Sequence, residues 1–207
     1  VPIGDQILMS KYDYCLNLGG IANISYQEKD RRIAFDICPA NMALNFLVSK
    51  IGLSYDKDGE LARNGVLDLG ILEKLNSLTY YRSNPPKSLG KEWFLEYFKP
   101  IIDNQQTKIN DLLKTVTEHI AYQISLVTTK SGSLLITGGG TFNEFLIDRI
   151  KTKTNLKVII PDKNIINFKE AMIFAFLGLL KSIRRTNSLA SVTGATKDCS
   201  GGAIYDI

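Results

Sequence analysis

Residues 15–26 read CLNLGGIANISY, two short apolar runs hinged on Gly19 and Gly20. Short apolar runs joined by a glycine pair read as a β-hairpin. The same glycines lack a Cβ, so a ligand's phosphate could approach the backbone N–H groups closely. Taken alone, the pair favours a plain tight turn over a phosphate contact, because glycine is the default turn residue. Tyr12 to Leu18 alternates loosely, and Asn23 to Gln27 and Ile33 to Ile37 are further β-like runs. The charged turn from Glu28 to Arg32 separates the last two, so three antiparallel strands are expected. After Pro39 the period changes. Met42, Ala43, Phe46, Leu47 and Ile51 recur as on a helix, with Pro39 expected in its first turn.

Downstream, residues 52–108 read as a mixed, mainly helical insert, with helices over Leu67 to Leu78 and Lys91 to Ile102 and a loop from Ser83 to Gly90. Ile109, Leu112, Leu113, Val116, Ile120, Ile124 and Val127 form one apolar stripe, followed by Gly132. Ser133 to Thr137 then reads as a buried strand, Thr141 to Lys151 as a helix, Lys157 to Ile160 as a strand and Asn167 to Arg184 as a long helix. The tail from Ser191 to Tyr205 reads as loop ending in a short strand. The order β-β-β-α, insert, α-β-α-β-α implies an α/β fold: a mixed sheet of three antiparallel strands followed by alternating helices and strands, with helices on both faces. That order matches the ribonuclease H-like unit, the lobe duplicated in actin-like ATPases and sugar kinases.

Composition excludes several classes. Apolar residues make up 44% and charged residues 22% of the 207, normal for a globular protein. Net charge is +4, and the basic clusters Lys29 to Arg32 and Lys181 to Arg185 are short, so no nucleic-acid partner is expected. Cys15, Cys38 and Cys199 lie far apart without C-x-x-C spacing, which suggests a reducing compartment and no structural zinc. The apolar run from Ala171 to Leu180 falls short of the roughly 20 residues that span a bilayer. No signal peptide is visible, and a cytoplasmic protein without a membrane partner is expected. The chain opens VPIGD, without an initiator Met, and reads as the middle of a longer protein.

Candidate chemistry is concentrated at a few positions. Asp36 stands near the end of an apolar strand just before a helix. It could act as a general base, with its pKa set by burial, or serve as a turn or capping residue. Gly138, Gly139 and Gly140 join a strand to a helix, where open α/β sheets bind ligands, though no P-loop or G-x-G-x-x-G pattern is present. Glu170 stands three residues after Asn167, the spacing of a capping box. His119, the only histidine, lies on the flank of an amphipathic helix and is expected at the surface or an interface. Trp93, Phe94, Tyr97 and Phe98 read as a core cluster. One histidine and dispersed cysteines argue against a zinc enzyme or a Ser-His-Asp hydrolase, and no metal ligands are assigned.

The ordered set LNLGGIANIS (16–25), AFDICPANMALN (34–45), YDKDGELARNG (55–65), PPKSLGKEWF (85–94), ITGGGTFN (136–143), KEAMIFAFLG (169–178) and SVTGATKDCSGGAIY (191–205) closely resembles the anhydro-N-acetylmuramic acid kinase family over the whole chain. The resemblance implies a two-lobed sugar-kinase and actin fold that uses ATP and Mg²⁺. It implies phosphorylation of 1,6-anhydro-N-acetylmuramic acid at O6 with hydrolytic opening of the anhydro ring, giving N-acetylmuramic acid 6-phosphate for cell-wall recycling in the bacterial cytoplasm. Asp36 matches the family's catalytic Asp in F-D-x-x-P-x-N and would deprotonate the attacking water; Asn41 closes that motif on the substrate side. Gly19, Gly20 and Asn23 match the second phosphate loop. Gly138, Gly139, Gly140 and Asn143 match the nucleotide-side loop, and Glu170 matches an acidic position near the sugar.

Lys87 and Ser88 fall in the matching Pro-Pro-Lys-Ser loop, without an assigned role. Where the family often has F-D-T-G-P-G-N, this chain has Phe35-Asp-Ile-Cys-Pro-Ala-Asn41, which tightens the turn beside the base. Nothing in the chain matches the family's first phosphate loop, G-T-S-x-D-G-x-D. Residues 1–207 are therefore expected to be a single C-terminal lobe without its N-terminal lobe, inactive alone, with an amino-sugar substrate and either a homodimer partner or the missing lobe. The rival expectation is a non-catalytic nucleotide-binding or oligomerisation module.

Overall fold

The computed structural model describes residues 1–103 and 106–205. Its strands are β1 (Tyr14–Leu18), β2 (Ile21–Glu28), β3 (Arg31–Pro39), β4 (Ser133–Thr137) and β5 (Lys157–Ile159). They form one sheet in the order β3-β2-β1-β4-β5. The β1/β2 and β2/β3 pairs are antiparallel, and β1/β4 and β4/β5 are parallel. The expected mixed sheet is therefore present. Around it lie α1 (Pro2–Leu8), α2 (Asn41–Ser49), α3 (Glu60–Arg63), α4 (Leu69–Asn76), α5 (Lys91–Trp93), α6 (Lys99–Ile102), α7 (Ile109–Val127), α8 (Glu144–Lys153), α9 (Lys163–Ser182) and α10 (Ala190–Thr193). A π-helical turn, Phe94–Phe98, interrupts the expected helix over Lys91 to Ile102. The insert expected over 52–108 holds α3 to α6; its residues 104 and 105 lie outside the described residues.

Alternation divides the sheet into two unlike faces. Leu16, Leu18, Ile24, Phe35 and Ile136 enter the main core with Leu44 and Leu47 of α2, Leu146 and Ile150 of α8, and the α7 stripe. Leu112, Leu113, Val116, Ile120 and Ile124 of that stripe are fully buried. Each contributes about 1.5–3 kcal/mol by leaving water. The opposite face carries Cys15 and Leu135 under Met9, beside α1 and α9.

Several local expectations are corrected. Pro39 ends β3 rather than starting α2. The first amides of α2 have no side-chain cap; Asn41 N donates to the Gly19 carbonyl (3.1 Å) and Met42 N to the Gly20 carbonyl (3.0 Å). The β1–β2 hairpin thus caps a helix far from it in sequence, a contact local propensity cannot reveal. α9 begins at Lys163, capped by the Asp162 side chain, so Asn167 and Glu170 form no capping box. α8 begins at Glu144, capped by Asn143, after a single 3₁₀ turn over Gly139–Phe142. Among the described residues the tail holds α10 and one bridge pair, Ser188 with Cys199, but no strand. The helix α1 has no counterpart in the expected order.

His119 is the clearest correction. It is 0% exposed, not at the surface. Its Nδ1 lies 2.7 Å from Asn76 Oδ1 and its Nε2 lies 2.9 Å from Tyr81 Oη. The amide oxygen can only accept, so the neutral ring carries its proton on Nδ1, and Nε2 accepts from the tyrosine. Burial lowers the His119 pKa to about 3. In the unfolded chain it titrates near 6.5, so between those values the unfolded state binds the extra proton. Stability is therefore expected to fall as pH drops below about 6.5, by up to about 1.4 kcal/mol per pH unit from this group. Denaturant melts from pH 7 to pH 4 check this: a His119→Gln variant should show a shallower acid slope than the parent, and equal slopes refute it.

Candidate functional site

The chemistry gathers where β1, β3 and β4 end. Asn17 of β1 pairs with Asn23 of β2 and with Thr137 of β4, and Asn23 pairs with Asp36 of β3. Directly paired residues point to the same face. Asp36, Asn23, Asn17 and Thr137 therefore form a polar row across four strands, on the face opposite the main core. A β-bulge sets its far end. Asn23 faces Asp36 but Ala22 faces Cys38, so Ile37 is an extra residue on β3. The bulge lets Ile37 and Cys38 both enter the core while Asp36 keeps its place in the row.

Three cavities open along this end of the sheet. One of about 250 Å³ includes Asp36, Asn23, Ser25, Asp5, Lys87 and Ser88 in its lining. A second, about 380 Å³, includes Gly19, Asn23, Asn17, Gly138, Lys169 and Glu170. Asn23 belongs to both. The third, about 410 Å³, includes Asn41, Tyr55, Lys57, Gly140, Phe142 and Asn143. Gly139 lines the second and third together. The expected site residues thus lie along one continuous rim, except Gly20, whose carbonyl accepts from Ala40 N (2.8 Å) and Met42 N (3.0 Å) at the α2 cap. Asn41 stands on the side of Tyr55 and Phe142, away from Asp36, and its Nδ2 donates to the Leu18 carbonyl at 3.3 Å. Asn143 accepts from Leu146 N at 2.9 Å, so it also caps α8.

Asp36 is half-buried, and among the described residues no Lys or Arg lies within ion-pairing distance of it. Burial raises its carboxyl above the usual carboxylate range, opposed by the Leu89 N–H, which donates to Oδ2 at 2.8 Å. A carboxylate with a raised pKa and little pairing is chemically a base. The loop expected over Ser83 to Gly90 now has a role: it leans on β3. Asp36 N donates to the Lys87 carbonyl (3.4 Å), Leu89 N holds the carboxylate, and Tyr80 Oη donates to the Asp36 carbonyl (2.6 Å). The Lys87 ammonium packs over the Tyr80 ring at 4.6 Å and donates to the Tyr80 carbonyl at 3.2 Å, so it anchors the loop.

A model of the anhydro-N-acetylmuramic acid kinase family matches residues 1–207. The chain belongs to that family. It is 33% identical over 205 residues to the anhydro-N-acetylmuramic acid kinase of Aliivibrio fischeri, covering 92% of this chain and 55% of that protein. The kinase of the same name from Sulfurimonas denitrificans is 31% identical, with 99% of this chain and 60% of that protein covered. The chain thus spans little more than half the length of these curated relatives. Among solved structures, component A of the (R)-2-hydroxyglutaryl-CoA dehydratase of Acidaminococcus fermentans matches with a TM-score of 0.54 at 12% identity, covering 83% of this chain and 62% of that one. The activator of the 2-hydroxyisocaproyl-CoA dehydratase of Clostridium difficile, solved with bound ADPNP, matches with a TM-score of 0.50 at 14% identity, covering 90% and 68%. These likenesses show the fold, that of actin-like ATPases. Among the described residues, no helix is long and apolar enough to cross a membrane.

Sequence reading did not single out Asn17, Thr137, Tyr55 or Lys169. Asn17 carried a signal: it is the one polar residue in the strand YCLNL. Lys169 carried only its place at the head of the motif KEAMIFAFLG, and nothing there marks it as buried, because a lysine in a helix is ordinarily a solvated side chain.

Proposed function

We propose that this chain supplies the base-bearing and nucleotide-binding wall of an enzyme that phosphorylates 1,6-anhydro-N-acetylmuramic acid at O6 with ATP. Asp36 takes a proton from water. The water oxygen bonds to the anomeric carbon as the bond from that carbon to O6 breaks, and O6 takes the γ-phosphoryl group while ADP leaves. The products are N-acetylmuramic acid 6-phosphate and ADP, a step of cell-wall recycling in a bacterial cytoplasm. The observation that carries this reading is the polar row, which sets Asp36 beside Asn23 while Asn23 also lines the glycine-bounded cavity at Gly19 and Gly138. Phosphates fit where backbone without Cβ lines the wall, and the aromatic-edged cavity of Tyr55 and Phe142 suits a nucleoside.

Among the described residues no three His, Cys, Asp or Glu side chains converge on a metal position. Mg²⁺ needs only one or two carboxylates when nucleotide phosphates and water complete its shell, and Glu170, exposed beside Gly138, can supply one. Bound there, the ion would neutralise charge on the transferring phosphoryl group.

Residues 1–207 form a single C-terminal lobe in this proposal, and clamping a phosphoryl group takes donors from both sides of a cleft. The 207-residue chain is therefore expected to release no ADP from ATP and the anhydro sugar, whereas the same chain joined to the N-terminal lobe of a full-length relative turns over. Coupled ADP detection and mass spectrometry of the sugar decide it. Turnover by the isolated chain at a full-length relative's rate overturns the one-wall reading. A joined protein that phosphorylates other sugars but not this one overturns the substrate.

A further inference from the structure

Under the polar row lies a buried set of charges that the reaction as proposed does not use. Lys169 of α9 is 5% exposed, and its Nζ sits 3.0 Å from Asp5 Oδ1 of α1. Asp5 Oδ2 accepts from Ser25 Oγ at 2.6 Å, and Ser25 Oγ accepts from Arg32 Nη2 at 2.7 Å. Asp5 and Arg32 are 3% and 5% exposed. Lys169 meets the Asp5 carboxylate directly and Arg32 reaches it only through Ser25 Oγ, so two cations stand against one anion and the set carries a net charge of +1. The set is not fully hydrogen-bonded: Lys169 Nζ and Asp5 Oδ1 face each other without good hydrogen-bond geometry, and Arg32 Nε has no partner. An uncompensated buried charge is costly, and a structure keeps it where something returns the energy.

The position of this set points to what returns it. Asp5 and Ser25 help line the cavity of Asp36, and Lys169 helps line the cavity of Gly19 and Gly138, while Arg32 stands at the far end of the set, in the lining of a separate cavity with Asp13 and Lys130. The other charged groups at those two cavities are the carboxylates of Asp36 and Glu170, the ammonium of Lys87, which is turned onto Tyr80, and the α-ammonium of Val1, which borders both. The two carboxylates oppose a polyphosphate there, and the buried set adds positive charge beneath the same rim.

We infer that Lys169 and Arg32, with Asp5 as their shared counter-ion, form a buried electropositive floor that holds the nucleotide's phosphates over the Gly19–Gly138 cavity. The inference rests on the proposed nucleotide reading of that cavity. It acts through the field rather than by contact, because Lys169 Nζ is shielded from solvent. In a low-dielectric setting such a field reaches across several ångströms and is little screened by salt.

The test is a charge ladder. Adenosine, ADP and ATP are titrated into the chain and its variants by calorimetry or NMR at 0.15 M salt (about physiological). Lys169→Met takes the set from +1 to zero. It should leave adenosine binding unchanged and weaken ATP roughly tenfold, with ADP between them. Lys169→Arg should restore it. Arg32→Met removes the same charge from the far end, and answers the question where Lys169→Met does not fold. Asp5→Asn breaks the same ion pair from the anionic side but leaves the net charge at +1 or above, so ATP binding should be undiminished. A purely structural network would lose ATP in all three variants, and that pattern overturns the inference. Equal ATP affinity in Lys169→Met and the parent also overturns it and leaves the nucleotide reading standing. A parent chain that binds neither adenosine nor ATP overturns that reading, and this inference with it.

Discussion

Asp36→Asn in the lobe-completed protein is expected to cut turnover of the anhydro sugar by about 10²–10⁴-fold, the usual contribution of a general base. The amide keeps the shape of the carboxylate and can still accept from Leu89 N, so the loop from Ser83 to Gly90 stays docked. It removes only the proton-accepting charge. ATP affinity should hold or rise, because Asp36 lines the cavity beside Ser88 rather than the cavity of Gly138 and its loss takes a negative charge from the rim. Thermal stability should hold or rise, since burial disfavours the ionised carboxylate in the folded state. The pH dependence gives an independent check. The raised pKa means that Asp36 takes up its proton sooner as pH falls, so the parent's rate drops on the acid side through that elevated value. The residual rate of Asp36→Asn lacks this limb. Wild-type turnover by the variant, or an unchanged acid limb, would falsify the base assignment.

Gly138→Ala is expected to destabilise the fold by roughly 2–6 kcal/mol and to abolish nucleotide binding, from a backbone term of about 1–3 kcal/mol and overpacking of similar size. Gly138 has φ 87° and ψ 164°, a region open essentially to glycine alone. A Cβ there would also stand 2.6 Å from Asn17 Oδ1 and 2.8 Å from the Leu18 carbonyl oxygen. The Leu18 backbone belongs to a central strand and cannot give way, and Asn17 is the middle of the polar row. The carbonyl of Gly138 accepts from Thr141 N at 3.1 Å and from Thr141 Oγ1 at 2.5 Å, so the turn it forms is itself fixed. Chemical denaturation with ATP titration on the soluble fraction checks both parts. By contrast, Gly19 and Gly20 have no positive φ, and a Cβ on Gly20 meets nothing closer than 3.9 Å. Gly20→Ala should cost far less, and a loss equal to that of Gly138→Ala would contradict the geometry.

The contrast bears on what could be read in advance. The hairpin at Gly19 and Gly20 was legible as a turn, and the three strands, the α7 stripe and the β4-to-α8 connection follow from periodicities of two and 3.6 residues. The family was legible too, because seven local motifs kept their order over the chain. Asp36, Asn23 and the three glycines at 138–140 could be named because each belongs to one of those motifs. Their arrangement could not. Asn17 meets Thr137 only through a parallel pairing across 120 positions, and the bulge at Ile37 that keeps Asp36 in the row depends on register with β2.

Errors of assignment have the same origin. His119 looked like a flank residue because its partners, Asn76 and Tyr81, come from the insert, and no helical period announces a hydrogen bond to another segment. Glu170 looked like a capping residue because the spacing was right, but Asp162 starts the helix earlier. Lys169 and Asp5 are ordinary surface residues on any local reading. They become a buried pair only when α1 and α9 pack on the same face of the sheet.

The residues of CLNLGGIANISY therefore settle a hairpin without tertiary help, because turn preference and strand alternation are local properties of a few φ/ψ angles. What that hairpin is used for belongs to the packed molecule. Its carbonyls cap α2, Asn17 and Asn23 join a row that ends at Asp36, and Gly19 borders a cavity that Lys169, paired with Asp5, also lines. Those relations are set by burial and long-range pairing, whose free energy exists only once distant segments meet.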